Sequence, residues 1–413
     1  MLYQVSDVIQ QRFQQLVSLP AVQKGLQYIE HTHMESIDEQ IEFAMIEAPT
    51  FHEDKRAARF KEKLEAIGIC DVKIDGNNNV DGFILGTERA RILTEAHLDT
   101  VFPFGTTTEV RREGDMLYAP GIYDNARGIA CLLSALRGIR ISGLQLQKTL
   151  IVAGTSREEA EGSLGGMKDI LDRYPDIEAS ISMDGGFLDS ITYNATFNKT
   201  ISYTFHGVGG HAFSAFGTAA NPMSAACRAV ARINDIQVPD KPRTPFATSK
   251  IYSCEKSSIT SIPGECKLFV NFRSDSEDMF INLEQLIEQC VYQGCQDETE
   301  RWRADTITFE KEELCYLPGG RQSAHLPLVE ANYLCARYVG GAAVLRDSGN
   351  SNSNIPISRG IPAVTVGSSS RQHLAHSLDE QFCITGAYTG PQGLFLMLLM
   401  AAGIADTIPS CMG

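Results

Sequence analysis

The chain has 413 residues, of which 43% are hydrophobic and 21% are charged, and this is the composition of an ordinary globular protein. This length exceeds what one hydrophobic core usually serves, so two domains are expected. The formal net charge of −15 argues against nucleic acid and against an anionic membrane surface as partners.

The cysteines, the first residues and the longest apolar run bear on the compartment. Eleven cysteines are scattered between Cys70 and Cys411 without a Cys-x-x-Cys pair, which indicates reduced thiols rather than a disulfide framework. The first residues, MLYQVSDVIQQRFQ, lack the basic and apolar regions of a signal peptide. The run GLFLMLLMAAGIA (393–405) is too short to span a bilayer and is expected to form a buried helix. These features predict a cytoplasmic protein without a membrane partner.

The first half of the chain predicts helices and then alternating strands and helices. Residues 1–65 show apolar side chains at three- and four-residue spacing, as amphipathic helices do. A further helix is predicted to begin near Asn125. It is followed by the strands TLIVAG (149–154) and ASISMDGG (179–186), with a helix between them. This order is typical of a doubly wound α/β sheet.

A second pattern interrupts the first. Polar and apolar residues alternate in ITYNATFNKTISYTFHG (191–207), which is typical of a half-exposed antiparallel strand. Two predicted helices among further strands indicate two helices on a four-stranded antiparallel sheet. We therefore predict an α/β catalytic domain with a mixed, largely parallel sheet flanked by helices, formed by residues 1–196 and 314–413. Residues 197–313 are predicted to form an inserted α+β domain.

Residues able to bind a metal follow several apolar runs directly. His97 and Asp99 end the segment ILTEAHLD, and in a strand these two side chains point to the same side. Alone, a His-x-Asp pair is a weak signal, and an ordinary polar strand end is then the favoured interpretation. Glu158 and Glu159 follow TLIVAGTSR, and Asp184 follows ASISM. Adjacent carboxylates repel each other unless a cation or solvent screens them, so a solvated loop is the alternative for the two glutamates.

Asp124 and His376 extend this set of candidate ligands. Asp124 lies where a helix is predicted to begin, so its carboxylate either caps that helix or bridges two cations. His376, in HLAHSLDE, offers a further nitrogen ligand. Because the carboxyl ends of parallel strands meet at one edge of a sheet, acids and histidines at several such ends favour a metal site.

Six motifs, in this order, resemble those of the co-catalytic zinc peptidase superfamily, which contains aminoacylase, carboxypeptidase G, acetylornithine deacetylase and peptidase T. They are HLDTVFP, GIYDNARG, EEAEGSLGG, MDGG, GVGGHAFS and the late IPAVTVG…HSLDE, and together they cover nearly the whole chain. The resemblance implies a zinc-exopeptidase-like catalytic domain, interrupted by a lid or dimerisation domain.

The resemblance also implies a pair of bound metal ions. Position by position, His97, Asp124 and Asp184 would bind one divalent cation, and Asp124, Glu159 and His376 would bind the other. Zinc is the expected metal, and cobalt or manganese are alternatives that such ligands accept. The family pattern further implies a cis peptide bond after Asp124.

The catalytic roles follow from the same resemblance. Glu158 would act as the general base on a water that bridges the metals. Asp99 would orient His97, a role that metal-bound histidines usually need filled.

Three residues of the inserted domain match the family's substrate-contacting positions. His211 would stabilise the oxyanion, from its own subunit or from a partner subunit. Arg273 would bind a substrate carboxylate, as a guanidinium group can, and Asn221 is a further substrate-binding candidate. Without the resemblance, His211 would be an ordinary turn residue and Arg273 an exposed strand residue.

The motifs also suggest a substrate class. DGG at 184–186 and SNIPISRGIPAVTVG at 353–367 are most similar to the peptidase T-like branch, which implies an exopeptidase acting on di- and tripeptides, either an aminopeptidase or a carboxypeptidase. An N-acyl-amino-acid deacylase needs the same site and remains an alternative. A non-catalytic peptide-binding relative would lack ligands that this chain has. Relatives often pair through the lid, so a homodimer is expected.

Overall fold

The computed structural model describes residues 3–184, 190–253, 258–303, 307–368 and 372–413. Gly185 and Gly186 of the MDGG motif lie outside the described residues. The chain divides into two compact units. The first consists of Met1–Ala195 with Arg321–Gly413, and the second of Thr196–Gly320.

In chain order, the helices of the described residues are α1 (Asp7–Ser18), α2 (Pro20–His31), α3 (His33–Ala44), α4 (Asp54–Ile67), α5 (Ala126–Ser142), α6 (Gly165–Arg173), α7 (Pro222–Asn234), α8 (Glu277–Trp302), α9 (Pro327–Tyr338), α10 (Asn354–Ser358) and α11 (Thr389–Ala402). The strands are β1 (Cys70–Ile74), β2 (Val80–Ile84), β3 (Glu88–His97), β4 (Arg111–Glu113), β5 (Met116–Tyr118), β6 (Lys148–Thr155), β7 (Ile177–Met183), β8 (Ser190–Thr192), β9 (Phe197–His206), β10 (Gly210–His211), β11 (Phe246–Ser253), β12 (Ser261–Ile262), β13 (Glu265–Ser274), β14 (Thr308–Leu317), β15 (Val344–Arg346), β16 (Ala363–Val366), β17 (Gln372–His373) and β18 (Gln381–Cys383).

An eight-stranded mixed sheet forms the centre of the first unit, in the order β1-β2-β6-β3-β7-β16-β8-β15. Its four middle strands, β6, β3, β7 and β16, run parallel to one another, and antiparallel pairs occur on either side of them. Every residue of β6 is buried, as expected for a strand covered on both faces of a sheet. The prediction of a mixed, largely parallel sheet flanked by helices is confirmed.

The apolar run near the end of the sequence forms a buried helix, as predicted. Helix α11 is buried along almost its whole length, because apolar residues occupy every side of it. Among the described helices, none is both long and apolar enough to cross a bilayer. The ten cysteines within the described ranges are free thiols.

A four-stranded antiparallel sheet of short strands, in the order β17-β18-β5-β4, was not predicted from the sequence.

The second unit contains an antiparallel sheet in the order β11-β13-β9-β14. Helices α7 and α8 pack on it, and the interface between the helices and the sheet buries aromatic and aliphatic side chains such as Phe205, Phe272 and Ile287. The predicted arrangement of two helices on a four-stranded antiparallel sheet is confirmed.

Candidate metal centre

The parallel strands of the first unit bring the candidate ligands to one edge of the sheet. His97 is the last residue of β3, and Asp184 follows the last residue of β7. The two glutamates, Glu158 and Glu159, come shortly after the end of β6. Because β6, β3 and β7 are parallel neighbours, their carboxyl ends lie side by side.

Asp124 presents its two oxygens to two different histidines. Its Oδ1 lies 3.1 Å from Nε2 of His97, and its Oδ2 lies 3.2 Å from Nε2 of His376. The same nitrogen of His97 lies 3.7 Å from Oδ1 of Asp184, and that of His376 lies 3.2 Å from Oε1 of Glu159. These atoms form two donor groups that share the Asp124 carboxylate. One group contains His97 and Asp184, and the other contains Glu159 and His376.

The histidines of the two groups differ in their exposure to solvent. The side chain of His97 is 2% exposed, whereas that of His376 is 52% exposed. Ligand atoms of His97, Asp124 and Glu159 all lie within 4.8 Å of one another. The histidine of one group is thus enclosed by the protein, whereas the histidine of the other is open to solvent.

The charge of the site favours bound cations. Burial lowers the pKa of His97, but the carboxylates of Asp124 and Asp184 outweigh burial and raise this pKa well above its usual value. Asp124 and Glu159 likewise raise the pKa of His376 to about 11. A field that holds protons on both imidazoles attracts metal cations for the same reason. Imidazole nitrogens and carboxylate oxygens are also ligands that zinc, cobalt and manganese accept, so the residues fit divalent metals.

Glu158 lies among the same charges. Burial raises the pKa of Glu158 well above its usual value. His97 opposes this rise, whereas the negative charges of Glu159 and Asp184 add to it. The Glu158 carboxylate is therefore an electrostatic neighbour of both groups, through His97 and Asp184 of one and Glu159 of the other.

The interpretation of Asp124 as a helix cap is wrong. Helix α5 begins at Ala126, and Asn125 occupies the cap position without a side-chain cap hydrogen bond. The Asp124 carboxylate instead faces the two histidines, because the chain turns before the helix begins. The predicted cis peptide bond between Asp124 and Asn125 is confirmed.

Asp99 fixes the backbone that carries the paired glutamates. Its Oδ1 accepts the backbone amide of Glu158 and its Oδ2 accepts that of Glu159, both at 3.0 Å. Its Oδ2 also accepts the Thr50 hydroxyl at 2.9 Å. Nδ1 of His97 faces its Oδ1 at 3.4 Å, which is longer than an ordinary hydrogen bond. Burial alone would raise the pKa of Asp99, but His97 and the two amides lower it.

Two buried side chains that were not predicted from the sequence hold the residues just before Glu158. Oε1 of Glu53 accepts the backbone amide of Arg157 at 3.0 Å, and Oδ1 of Asn79 accepts that of Ser156 at 2.9 Å. Both of these side chains are fully buried. Four consecutive amides, from residue 156 to residue 159, therefore donate to side-chain oxygens, which fixes the direction of the glutamates.

The remaining candidates belong to the second unit. His211 lies on β10, and its Nδ1 accepts the backbone amide of Phe213 at 3.3 Å. Arg273 lies on β13, and its Nε donates to Oδ1 of Asn271 at 3.3 Å. Asn221 caps α7 by accepting the amide of Met223, which gives it a structural role.

Sequence comparison connects the chain with known peptidases. The profile of peptidase family M20/M25/M40 matches residues 93–398. The chain is 31% identical to the uncharacterized protein YgeY of Escherichia coli K12 over 115 residues, which are 26% of this chain and 28% of YgeY. It is 34% identical to carboxypeptidase G2 of Pseudomonas sp. over 90 residues, which are 21% of each chain. The aligned stretches thus span less than a third of either relative.

Three solved structures have a similar fold. A tripeptidase from Staphylococcus aureus matches with a TM-score of 0.73 at 19% identity, over 88% of this chain and 97% of its own. Aminopeptidase PepT from Bacillus cereus matches with a TM-score of 0.71 at 16% identity, over the same shares. The YXEP protein of Bacillus subtilis, a dinuclear metal binding peptidase, matches with a TM-score of 0.66 at 13% identity, over 92% of this chain and 100% of its own. At such identities the likeness shows a shared fold.

Proposed function

The chain belongs to peptidase family M20/M25/M40, whose members are metallopeptidases and amidohydrolases, and we propose that it is an exopeptidase that hydrolyses an amide bond in di- and tripeptides. The observation that supports this most directly is the position of Asp124 between two donor groups. Each of the two oxygens of a carboxylate can bind one cation, and in dinuclear hydrolase sites the two cations lie about 3.5–4 Å apart.

Two sets of residues would hold the metals. His97, Asp124 and Asp184 would bind one cation, and Asp124, Glu159 and His376 would bind the other. Zinc is the proposed metal, with cobalt and manganese as alternatives. Bound divalent cations supply Lewis acidity, which activates a water nucleophile and polarises the scissile carbonyl group.

Glu158 is the proposed general base. Its carboxylate would accept a proton from the attacking water and would then donate that proton to the leaving amine. Asp99 would keep Glu158 and Glu159 at a fixed spacing, because each of its oxygens accepts one of their amides. The base and one metal ligand would thus be oriented by the same buried acid.

The second unit would contribute groups that contact the substrate. His211 is proposed to stabilise the oxyanion, while Arg273 and Asn221 are proposed to bind the substrate. Mixing a His211→Ala variant with a Glu158→Gln variant tests whether His211 acts in its own subunit or across a dimer. Activity regained on mixing means that it acts across the dimer, and continued inactivity means that it acts within one subunit.

A homodimer formed through the second unit is part of the proposal. Strand β11 is an edge strand of its sheet, and most of its side chains are exposed. Such an edge can pair with a second strand across a two-fold axis. Light scattering on the purified protein would test this, and a monomeric mass at micromolar concentration would contradict it.

The substrate class is tested with matched pairs of compounds. The similarity in fold to a tripeptidase and to aminopeptidase PepT supports peptides with a free amino terminus. We expect the metal-loaded protein to cleave di- and tripeptides, and to cleave their N-acetylated counterparts and acetylated amino acids far more slowly. The reverse preference would favour the N-acyl-amino-acid deacylase alternative. Cleavage of neither class, with metal bound, would contradict both.

A further inference from the structure

Glu380 is buried beneath the turn that carries Asp124. Its side chain is fully buried, and both of its oxygens accept backbone amides of that turn. Oε2 accepts the amide of Gly121 at 2.9 Å, and Oε1 accepts those of Tyr123 at 3.0 Å and Asp124 at 2.8 Å. One carboxylate therefore binds three amides of a single turn.

The backbone around Glu380 is attached to the same region. Its carbonyl oxygen accepts the amide of Ala119 at 3.2 Å. The strand that follows it, β18, pairs with β5, the strand that precedes the turn. Main-chain and side-chain hydrogen bonds thus hold the segments next to residues 380 and 120 together.

The loop that contains Glu380 also contains His376, so it contacts Asp124 in two ways. His376 faces Oδ2 of the Asp124 side chain, and Glu380 accepts the Asp124 backbone amide. Fixing the amide and one oxygen of a short side chain restricts the directions that its other oxygen can take. That other oxygen, Oδ1, faces His97.

We propose that Glu380 is a positioning residue that fixes the orientation in which Asp124 is shared between the two donor groups. This inference rests on the proposed function, because it assigns Glu380 to the binding of metal by Asp124. Hydrogen bonds to the residues that ligate a metal commonly change metal affinity or activity 10–100-fold when they are removed.

A change of Glu380 to glutamine tests the inference sharply. Glutamine keeps the size of the side chain but offers only one acceptor oxygen, and its NH2 group would meet a backbone amide that also donates. Glu330→Gln is the matched control. Glu330 is also a buried glutamate of the first unit, and its Oε2 accepts the amide of Ser6 at 3.1 Å and the Ser6 hydroxyl at 2.5 Å.

The measurement is the affinity for Zn²⁺, in competition with a chromogenic chelator, at a temperature at which all the proteins are folded by circular dichroism. We expect Glu380→Gln to bind Zn²⁺ about 10–100-fold more weakly than the unchanged protein. Glu330→Gln should bind like the unchanged protein. The visible absorption of bound Co²⁺ should also change in Glu380→Gln, because the geometry at Asp124 changes.

The outcomes separate this inference from the proposed function. If the unchanged protein binds no Zn²⁺, the proposed function fails. If it binds Zn²⁺ and Glu380→Gln binds equally well, only the positioning role of Glu380 is overturned. If Glu380→Gln does not fold, Glu380→Asp is measured instead; it is expected to bind Zn²⁺ more weakly than the unchanged protein, and equal binding would overturn the positioning role. Unfolding of both variants would overturn the inference, because Glu380 would then support the whole unit.

Discussion

Nε2 of His376 lies 3.2 Å from Oδ2 of Asp124, although the two residues come from distant parts of the chain. The other oxygen of Asp124 faces His97, which ends a central strand of the sheet. Loss of Asp124 should therefore affect both donor groups, whereas loss of His376 should affect only one.

The first prediction concerns metal content. Asp124→Ala should reduce the bound metal from about two ions per chain to less than one, and His376→Ala should reduce it to about one. Elemental analysis after dialysis measures this. His373→Ala is the matched control, because His373 is an exposed histidine on β17, three residues before His376. Equal metal loss in the His373 and His376 variants would contradict the assignment of His376 as a metal ligand.

The second prediction concerns Glu158. Glu158→Gln keeps the shape of the side chain but cannot accept the proton, so kcat should fall about 10²–10⁴-fold. The metal content should stay unchanged. Glu161→Gln is the control, since Glu161 is an exposed glutamate close by in the chain. Full turnover in the Glu158 variant, or loss of metal from it, would exclude the role of general base.

The sequence predicts the residues at the strand ends because their signal is local. An apolar run followed by an acid or a histidine places His97, Glu158, Glu159 and Asp184 at one edge once the strands are known to be parallel. Asp124 was harder to interpret, because an acid that caps a helix and an acid just before the cap look the same in sequence. The fold class follows from periodicity in the same way, but the sheet formed by β17, β18, β5 and β4 has strands of only two or three residues, too short to show a period.

The supporting residues could not be found in this way. Glu380, Glu53 and Asn79 act on backbone amides of segments far from them in the chain. Every non-proline residue has such an amide, so no sequence pattern marks the partner. HSLDE was recognised as a motif for His376, but the position of its glutamate beneath Asp124 appears only when the two segments are folded together.

The third prediction concerns Asp99. Each of its oxygens accepts a backbone amide, so an asparagine at this position must place its NH2 group against a donor. Asp99→Asn should lower kcat/KM about 10–100-fold. It should also lower the free energy of unfolding of the metal-free protein by about 1–3 kcal/mol, as an unsatisfied buried amide does. Enzyme kinetics and urea unfolding measure the two effects.

Asp71→Asn is a suitable control for that variant. Asp71 is exposed and has a φ of 52°, a conformation that asparagine adopts readily. The control should leave kcat/KM and the free energy of unfolding within experimental error of the unchanged protein. If Asp99→Asn behaved like this control, the two amide hydrogen bonds would not position the glutamates.

The fourth prediction concerns metal removal. A chelator should abolish activity, because the proposed reaction requires bound metal. It should not unfold the protein, because the hydrophobic cores of the two units consist of residues such as Leu132, Phe395 and Phe272, which contribute no ligand. Metal that binds only the folded state stabilises it by about 2.7 kcal/mol at a concentration of one hundred times Kd. For a unit as large as the first one, that corresponds to a Tm about 4–5 °C higher with metal than without it. Circular dichroism melting with and without chelator measures the shift, and added Zn²⁺ should restore both Tm and turnover. Loss of the folded spectrum on chelation would instead mean that repulsion among the carboxylates at the sheet edge outweighs the packing of the cores.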